Sequence, residues 1–282
     1  MTTPTVLVLG ATGTVGSALV AELGVRGAAV RAMTRRPDHE IPGAETVVGD
    51  LRDPASLREA LVGIDAMFLN SPSEEEAAEL QMRAVEIARD AGLGRLVLLS
   101  QFAATADSPV RFLRWHAAVE AHLAQSEIAH VVLRPNLYMQ SLLGFASSIA
   151  AGWFAASAGD AAVSVIDTRD IAASAAVALT GDVHGTYTLT GPRAVTHDEI
   201  AAALATAIGR SVEYRDVSPR EFAAAMTDWL PPWQLEGAVE DFAHYARGEA
   251  AEVTTAVADL TTRPAGDIID FARDHADAFR GA

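Results

Sequence analysis

Gly10, Gly13 and Gly16 recur at three-residue steps in Gly10-Ala11-Thr12-Gly13-Thr14-Val15-Gly16, directly after the apolar run Thr5-Val6-Leu7-Val8-Leu9. Glycine allows a tight turn and leaves no Cβ in the path of an approaching phosphate. The next stretch, Ser17-Ala18-Leu19-Val20-Ala21-Glu22-Leu23, has helical character. A helix start turns unpaired N–H groups and a positive dipole end toward an anion. Strand, glycine turn and helix in this order suit a dinucleotide pyrophosphate. That reading assigns Gly10, Thr12, Gly13, Thr14, Val15 and Gly16 to the phosphates. The spacing is G-x-x-G-x-x-G rather than G-x-G-x-x-G, and a purely structural turn is the alternative.

The end of the second strand selects the nucleotide in such folds: an acid binds the ribose 2′-hydroxyl, whereas arginine accepts a 2′-phosphate. Here Val30-Arg31-Ala32-Met33 runs into Thr34-Arg35-Arg36-Pro37, with no acid present. Arg35 and Arg36 therefore predict NADP(H) in preference to NAD(H), since guanidinium pairs with phosphate through charge-assisted bonds. A solvated basic turn is the alternative. Asp50 and Leu51 follow the third candidate strand, and Asn70, Ser71 and Pro72 the fourth, at the edge where parallel sheets bind ligands. Asp50 suits either an adenine amino group or a helix-capping role. Ser100, Gln101 and Phe102 end the fifth strand, where the nicotinamide half belongs.

The elements that must position these residues follow from apolar periodicity. Candidate strands are 5–9, 29–34, 45–48, 65–70, 95–100 and 129–134. In 74–91, Leu80, Ala84, Ile87, Ala88 and Ala91 recur at helical spacing. Asp53-Pro54 caps and starts a helix. This alternation predicts an α/β protein with a Rossmann-type doubly wound parallel sheet over residues 1–134. After Arg134-Pro135 the rhythm changes. Strands are expected at 163–166, 186–189 and 211–217, and helices at 233–248 and 265–280. Thr196 to Glu199 and Ser218 to Glu221 match the capping box. Residues 135–282 thus form a smaller C-terminal α+β substrate lobe, with some segments returning to the sheet. Leu137 to Ala156 reads as a buried or cleft-lining helix.

Composition narrows the partners. A formal net charge of −16 over 282 residues repels phosphate backbones and anionic surfaces, so neither nucleic acid nor membrane is expected. There is no cysteine, which excludes disulfides and thiolate catalysis. The histidines show no metal-binding spacing, so no metal is expected, and no G-x-S-x-G elbow is present. A soluble cytoplasmic protein acting on a small-molecule substrate is expected, and a homodimer is compatible with this reading.

Gly10-Ala11-Thr12-Gly13, Gly49-Asp50-Leu51, Leu133-Arg134-Pro135, Tyr187-Thr188-Leu189-Thr190-Gly191-Pro192 and Asp216-Val217-Ser218-Pro219 carry a wider likeness. On these motifs the chain resembles the NmrA-like family of atypical short-chain dehydrogenases/reductases, which includes NADPH quinone reductases and triphenylmethane-dye reductases. The resemblance implies a Rossmann domain with a small C-terminal lobe. It also implies a departure from the Tyr-x-x-x-Lys pair of classical members, because Phe112 falls at the tyrosine and His116 at the lysine. His116 then becomes a proton donor or ribose anchor, oriented by Glu120 one helical turn away; a surface ion pair is the plain alternative. Tyr138 is a second candidate donor, or a core aromatic. Trp153, Phe154, Trp229 and Trp233 either line an aromatic pocket or anchor packing. Three functions stay open: hydride transfer to an aromatic or quinone-like substrate, a non-catalytic NADP-binding redox sensor, or natural-product tailoring.

Overall fold

The computed structural model describes residues 4–71 and 73–281. The first half alternates as the apolar runs dictate: β1 (Thr5–Val8), α1 (Thr14–Val25), β2 (Ala29–Thr34), β3 (Glu45–Val48), α2 (Pro54–Ala60), β4 (Ala66–Leu69), α3 (Ala77–Asp90), β5 (Arg95–Leu99), α4 (Arg111–Ala124) and β6 (Ala129–Pro135). A 3₁₀ turn, Met139–Phe145, leads to α5 (Ala146–Ala150), β7 (Trp153–Ala156), α6 (Thr168–Thr180), β8 (Gly185–Leu189), α7 (His197–Ile208), β9 (Glu213–Asp216) and α8 (Pro219–Met226). The chain ends in α9 (Pro232–Ala246), α10 (Ala256–Thr261), α11 (Ile268–Asp274) and α12 (Ala276–Arg280).

A seven-stranded sheet has the order β3-β2-β1-β4-β5-β6-β8, and the first six strands pair in parallel. The order reverses between β1 and β4, which makes their carboxyl ends a ligand crevice of the Rossmann type. β4 is buried along its whole length, and a continuous apolar strand is what a sheet covered on both faces demands. The stripe of α3 buries Leu80, Ala84, Ile87 and Ala88. Helix α6, which the periodicity did not single out, packs on α1 and buries Ile171, Ala172, Ala175 and Leu179 among others. Its alanine-rich sequence has too little polar contrast to show a face.

The chain divides into two compact units. One comprises the chain through Ala106, Leu113–Arg134 and Thr168–Tyr187; the other comprises Asp107–Phe112, Pro135–Asp167 and the chain from Thr188 onward. In the second, β7 pairs in parallel with β9. The single helix expected over Leu137 to Ala156 is not formed. Gly152, at φ +94°, ends it, and Trp153-Phe154 enters β7 instead. Residues 163–166 make two isolated bridges, Val163 to Val195 and Tyr138 to Ile166, rather than a strand. The helix expected over 265–280 breaks at His275 into α11 and α12. Both capping boxes are formed, at Thr196 with Glu199 and at Ser218 with Glu221. Among the described residues, no helix is long and apolar enough to cross a membrane, and no cluster could hold a metal ion.

Candidate functional site

The three glycines of the first turn have separate tasks. Gly10 takes φ +67°, the left-handed region glycine favours. Gly16 lies against the turn: a Cβ there would stand 2.2 Å from the Gly10 carbonyl oxygen. Gly13 is the N-cap of α1, and a Cβ there would meet only that same oxygen, at 3.3 Å. No side chain caps α1, as is also the case for α3, α5, α9, α10 and α12; what sets α1 apart is that its N-cap is a glycine in the turn beside the sheet's carboxyl edge. The first N–H groups of a helix have no partner within it and are where an anion can bind.

Beside this turn an open cleft runs along the carboxyl ends of β1 to β4. It brings together Gly10, Thr12, Arg35, Asp50, Leu51, Asn70 and Ser71 from the sequence-derived set. Arg36 is exposed and Thr14 and Val15 open α1; none of these three lines the cleft. Pro72 lies outside the described residues. Of the two roles open to Asp50, capping of α2 falls to Asp53, which accepts from the Ala55 N–H at 3.0 Å, while Asp50 accepts from the Arg52 N–H at 2.9 Å and lines the cleft.

The cleft also contains a carboxylate that local reasoning passed over. Glu74, in the segment after β4, lines it and pairs with Arg52, whose guanidinium also reaches Glu76 at 2.9 Å. Arg35 Nη1 stands 3.5 Å from Glu74 Oε1. The available signal was position. Glu74-Glu75-Glu76 follows Asn70-Ser71-Pro72 at the ligand edge, yet such a run normally reads as a solvated face.

A second cluster joins α4 to β5 and β6. Arg134 Nε donates to Glu120 Oε1 at 2.9 Å, its Nη2 donates to the other carboxylate oxygen, and the Ser100 hydroxyl donates to Glu120 as well. The carboxylate is thus committed to Arg134 and Ser100, and reaches His116 through its charge alone. Burial lowers the His116 imidazole to about 4 against that charge, so the ring is neutral near pH 7. Gln101 and the buried Phe102 follow Ser100 at the end of β5, in a segment that does not line the cleft.

Phe112 belongs to the second unit, where it meets the Trp233 ring edge-on at 6.2 Å and lies against Gly237. Arg111 beside it is held by Glu240, at 2.8 Å, and Glu236, at 3.0 Å. Tyr138 is half-buried in the same unit, and burial pushes its phenol upward, which keeps it protonated. Of the four aromatics read as pocket lining or packing anchors, Trp153 stacks under Arg215 at 4.7 Å, Phe154 is core, Trp233 meets Phe112, and Trp229 is 80% exposed.

An uncapped helix end, a glycine turn open at Gly13 and a cleft over the crossover point fit a dinucleotide. These features define a Rossmann-type nucleotide-binding protein. The NmrA-like family model matches residues 2–258, and the chain belongs to that family. It is 35% identical to an NAD(P)H azoreductase of Xenophilus azovorans, over 98% of this chain and 100% of the relative. It is 34% identical to the (4-alkanoyl-5-oxo-2,5-dihydrofuran-3-yl)methyl phosphate reductase of Streptomyces griseus, over 97% and 99% of the two chains. The NADPH complex of the quinone oxidoreductase QOR2 from Escherichia coli superposes with a TM-score of 0.86 at 25% identity, covering 95% of this chain and 99% of the other.

Proposed function

We propose that the protein is an NADPH-preferring reductase that passes hydride to a small aromatic or quinone-like substrate. The observation that carries the reading is the uncapped glycine turn beside a cleft containing Arg35. Relatives named as reductases across the full length support it. The cofactor supplies the hydride when bound. The chain's part is to hold the pyrophosphate at Gly10 to Gly16 and the 2′-phosphate at Arg35, with Arg36 adding charge nearby. Asn70, Ser71, Asp50 and Leu51 enclose the adenine side. Ser100, Gln101 and Phe102 belong to the nicotinamide half in this reading.

Proton supply falls to a weaker acid than the family tyrosine, since Phe112 donates none. His116 serves as a neutral N–H donor, and Tyr138 as the reserve. A quinone tolerates this because the negative charge delocalises as it forms. Phe112 also favours a second reading, an NADP-binding sensor without turnover. NADPH oxidation across quinones, dyes and ketones, beside a binding titration, separates the two. Turnover supports the reductase, and tight binding with no turnover on any substrate supports the sensor. Arg35→Ala with Arg36→Ala should weaken NADPH selectively, by about 1.5–3 kcal/mol per lost charge-assisted bond.

A further inference from the structure

Within the cleft, Glu74 restores by tertiary structure the acid that is missing from the end of β2. Its side chain is 19% exposed, whereas that of Arg35 is 58% exposed. Arg52 binds Glu74 directly and is itself braced by Glu76 at 2.9 Å. Arg35 is joined to it more loosely, at 3.5 Å. One carboxylate, bonded through its other oxygen to Arg52, thus shares the cleft with one more exposed cation. A carboxylate accepts hydrogen bonds from a ribose diol and repels a 2′-phosphate, whereas arginine does the reverse. We infer that Glu74 is a cofactor-selecting residue that lets the same cleft take NADH as well as NADPH, with Arg52 as its positioning residue. The inference rests on the reading of the cleft as a nicotinamide-dinucleotide site.

With NADH, Glu74 keeps Arg52 and accepts from the ribose hydroxyls. With NADPH, Arg35 leaves Glu74 for the phosphate, and the carboxylate's negative charge opposes that exchange. Glu74 therefore narrows the preference that Arg35 alone would give. Removing its charge should tighten NADPH and weaken NADH. Removing Arg35 should move both the other way.

The test is a pair of binding titrations, NADPH and NADH, on the whole protein and on Glu74→Gln, Arg35→Ala and the double variant. Thermal melts confirm that each variant is folded. Glu74→Gln should raise the ratio Kd(NADH)/Kd(NADPH) about tenfold, and Arg35→Ala should lower it by a similar factor. The two effects should not add in the double variant, because the side chains share a contact. Arg52→Gln, which leaves Glu74 its pairing with Arg35, should make release of Arg35 to the phosphate costlier and so lower the ratio, opposite to Glu74→Gln. If both nucleotides bind and Glu74→Gln leaves the ratio unchanged, Glu74 does not select and the inference is overturned. If the unmodified protein binds neither nucleotide, the dinucleotide reading fails and takes the role of Glu74 with it.

Discussion

Phe112 occupies the space that a side chain at Gly237 would need: a Cβ there would stand 2.2 Å from Phe112 Cζ. Phe112 is thereby tied to a packing partner on α9. In an exposed helix interior, replacing glycine by alanine gains about 0.5–1 kcal/mol. Here the sign reverses. Gly237→Ala should cost about 1–3 kcal/mol by overpacking, and Phe112→Ala in the same background should relieve part of the clash. Urea unfolding of the two single variants and the double measures this. A stabilised Gly237→Ala would show that the contact is slack.

Gly13 and Gly16 should separate binding from folding. Gly13→Val places its branched side chain beside the cleft with one close contact, at 3.3 Å, so the fold should survive while NADPH binding is lost. Gly16→Ala sets a Cβ 2.2 Å from a carbonyl oxygen and should lower the melting temperature by itself. Cofactor titration beside a thermal melt distinguishes the two. Retained binding by folded Gly13→Val would displace the phosphate turn from its assigned position.

His116 should act without a charge. Its pKa near 4 means that the imidazolium is scarce at pH 7, so the ring offers a neutral hydrogen bond worth about 0.5–1.5 kcal/mol. A charged general acid would contribute about 10²–10⁴-fold. His116→Ala should then reduce turnover by roughly tenfold or less, and the pH profile of the unmodified protein should show no inflection near 6.5 from this residue. A loss of several hundred-fold accompanied by such an inflection would mean that the ring works protonated.

His197 makes the second unit sensitive to acid. Its ring lies 5.0 Å from Tyr214 and 6.3 Å from Phe154, is 4% exposed, and leaves Nδ1 buried without a hydrogen-bond partner. Burial lowers its pKa to about 4, although Asp216 and Asp198 raise it. The unfolded chain, with histidine near 6.5, binds more protons between these values, so stability must fall as pH drops from 6.5 toward 4. The full loss is on the order of 3 kcal/mol. His197→Phe should remove that part of the slope in urea melts between pH 7 and 4. An unchanged slope would assign the acid sensitivity to other groups.

The features legible in the sequence are those set by neighbours along the chain. Apolar runs separated by helical stripes gave the strands β1 to β6 and their parallel class, the capping boxes at Thr196 and Ser218 fixed two helix starts, and the glycine turn marked the passage from β1 to α1. Each depends on backbone geometry within a few residues. Leu137 to Ala156 misled because its apolar content is the same for helix and strand; Gly152 and the partner strand β9 decided between them. What only the tertiary structure decided is pairing. Arg35 and Glu74 are 39 residues apart, and Arg134, whose local sequence names no partner, holds the Glu120 carboxylate assigned to His116. A charged side chain's partner depends on which strand ends lie side by side. That order is set by burying the sheet's apolar faces, and the charges themselves leave no periodic trace of it.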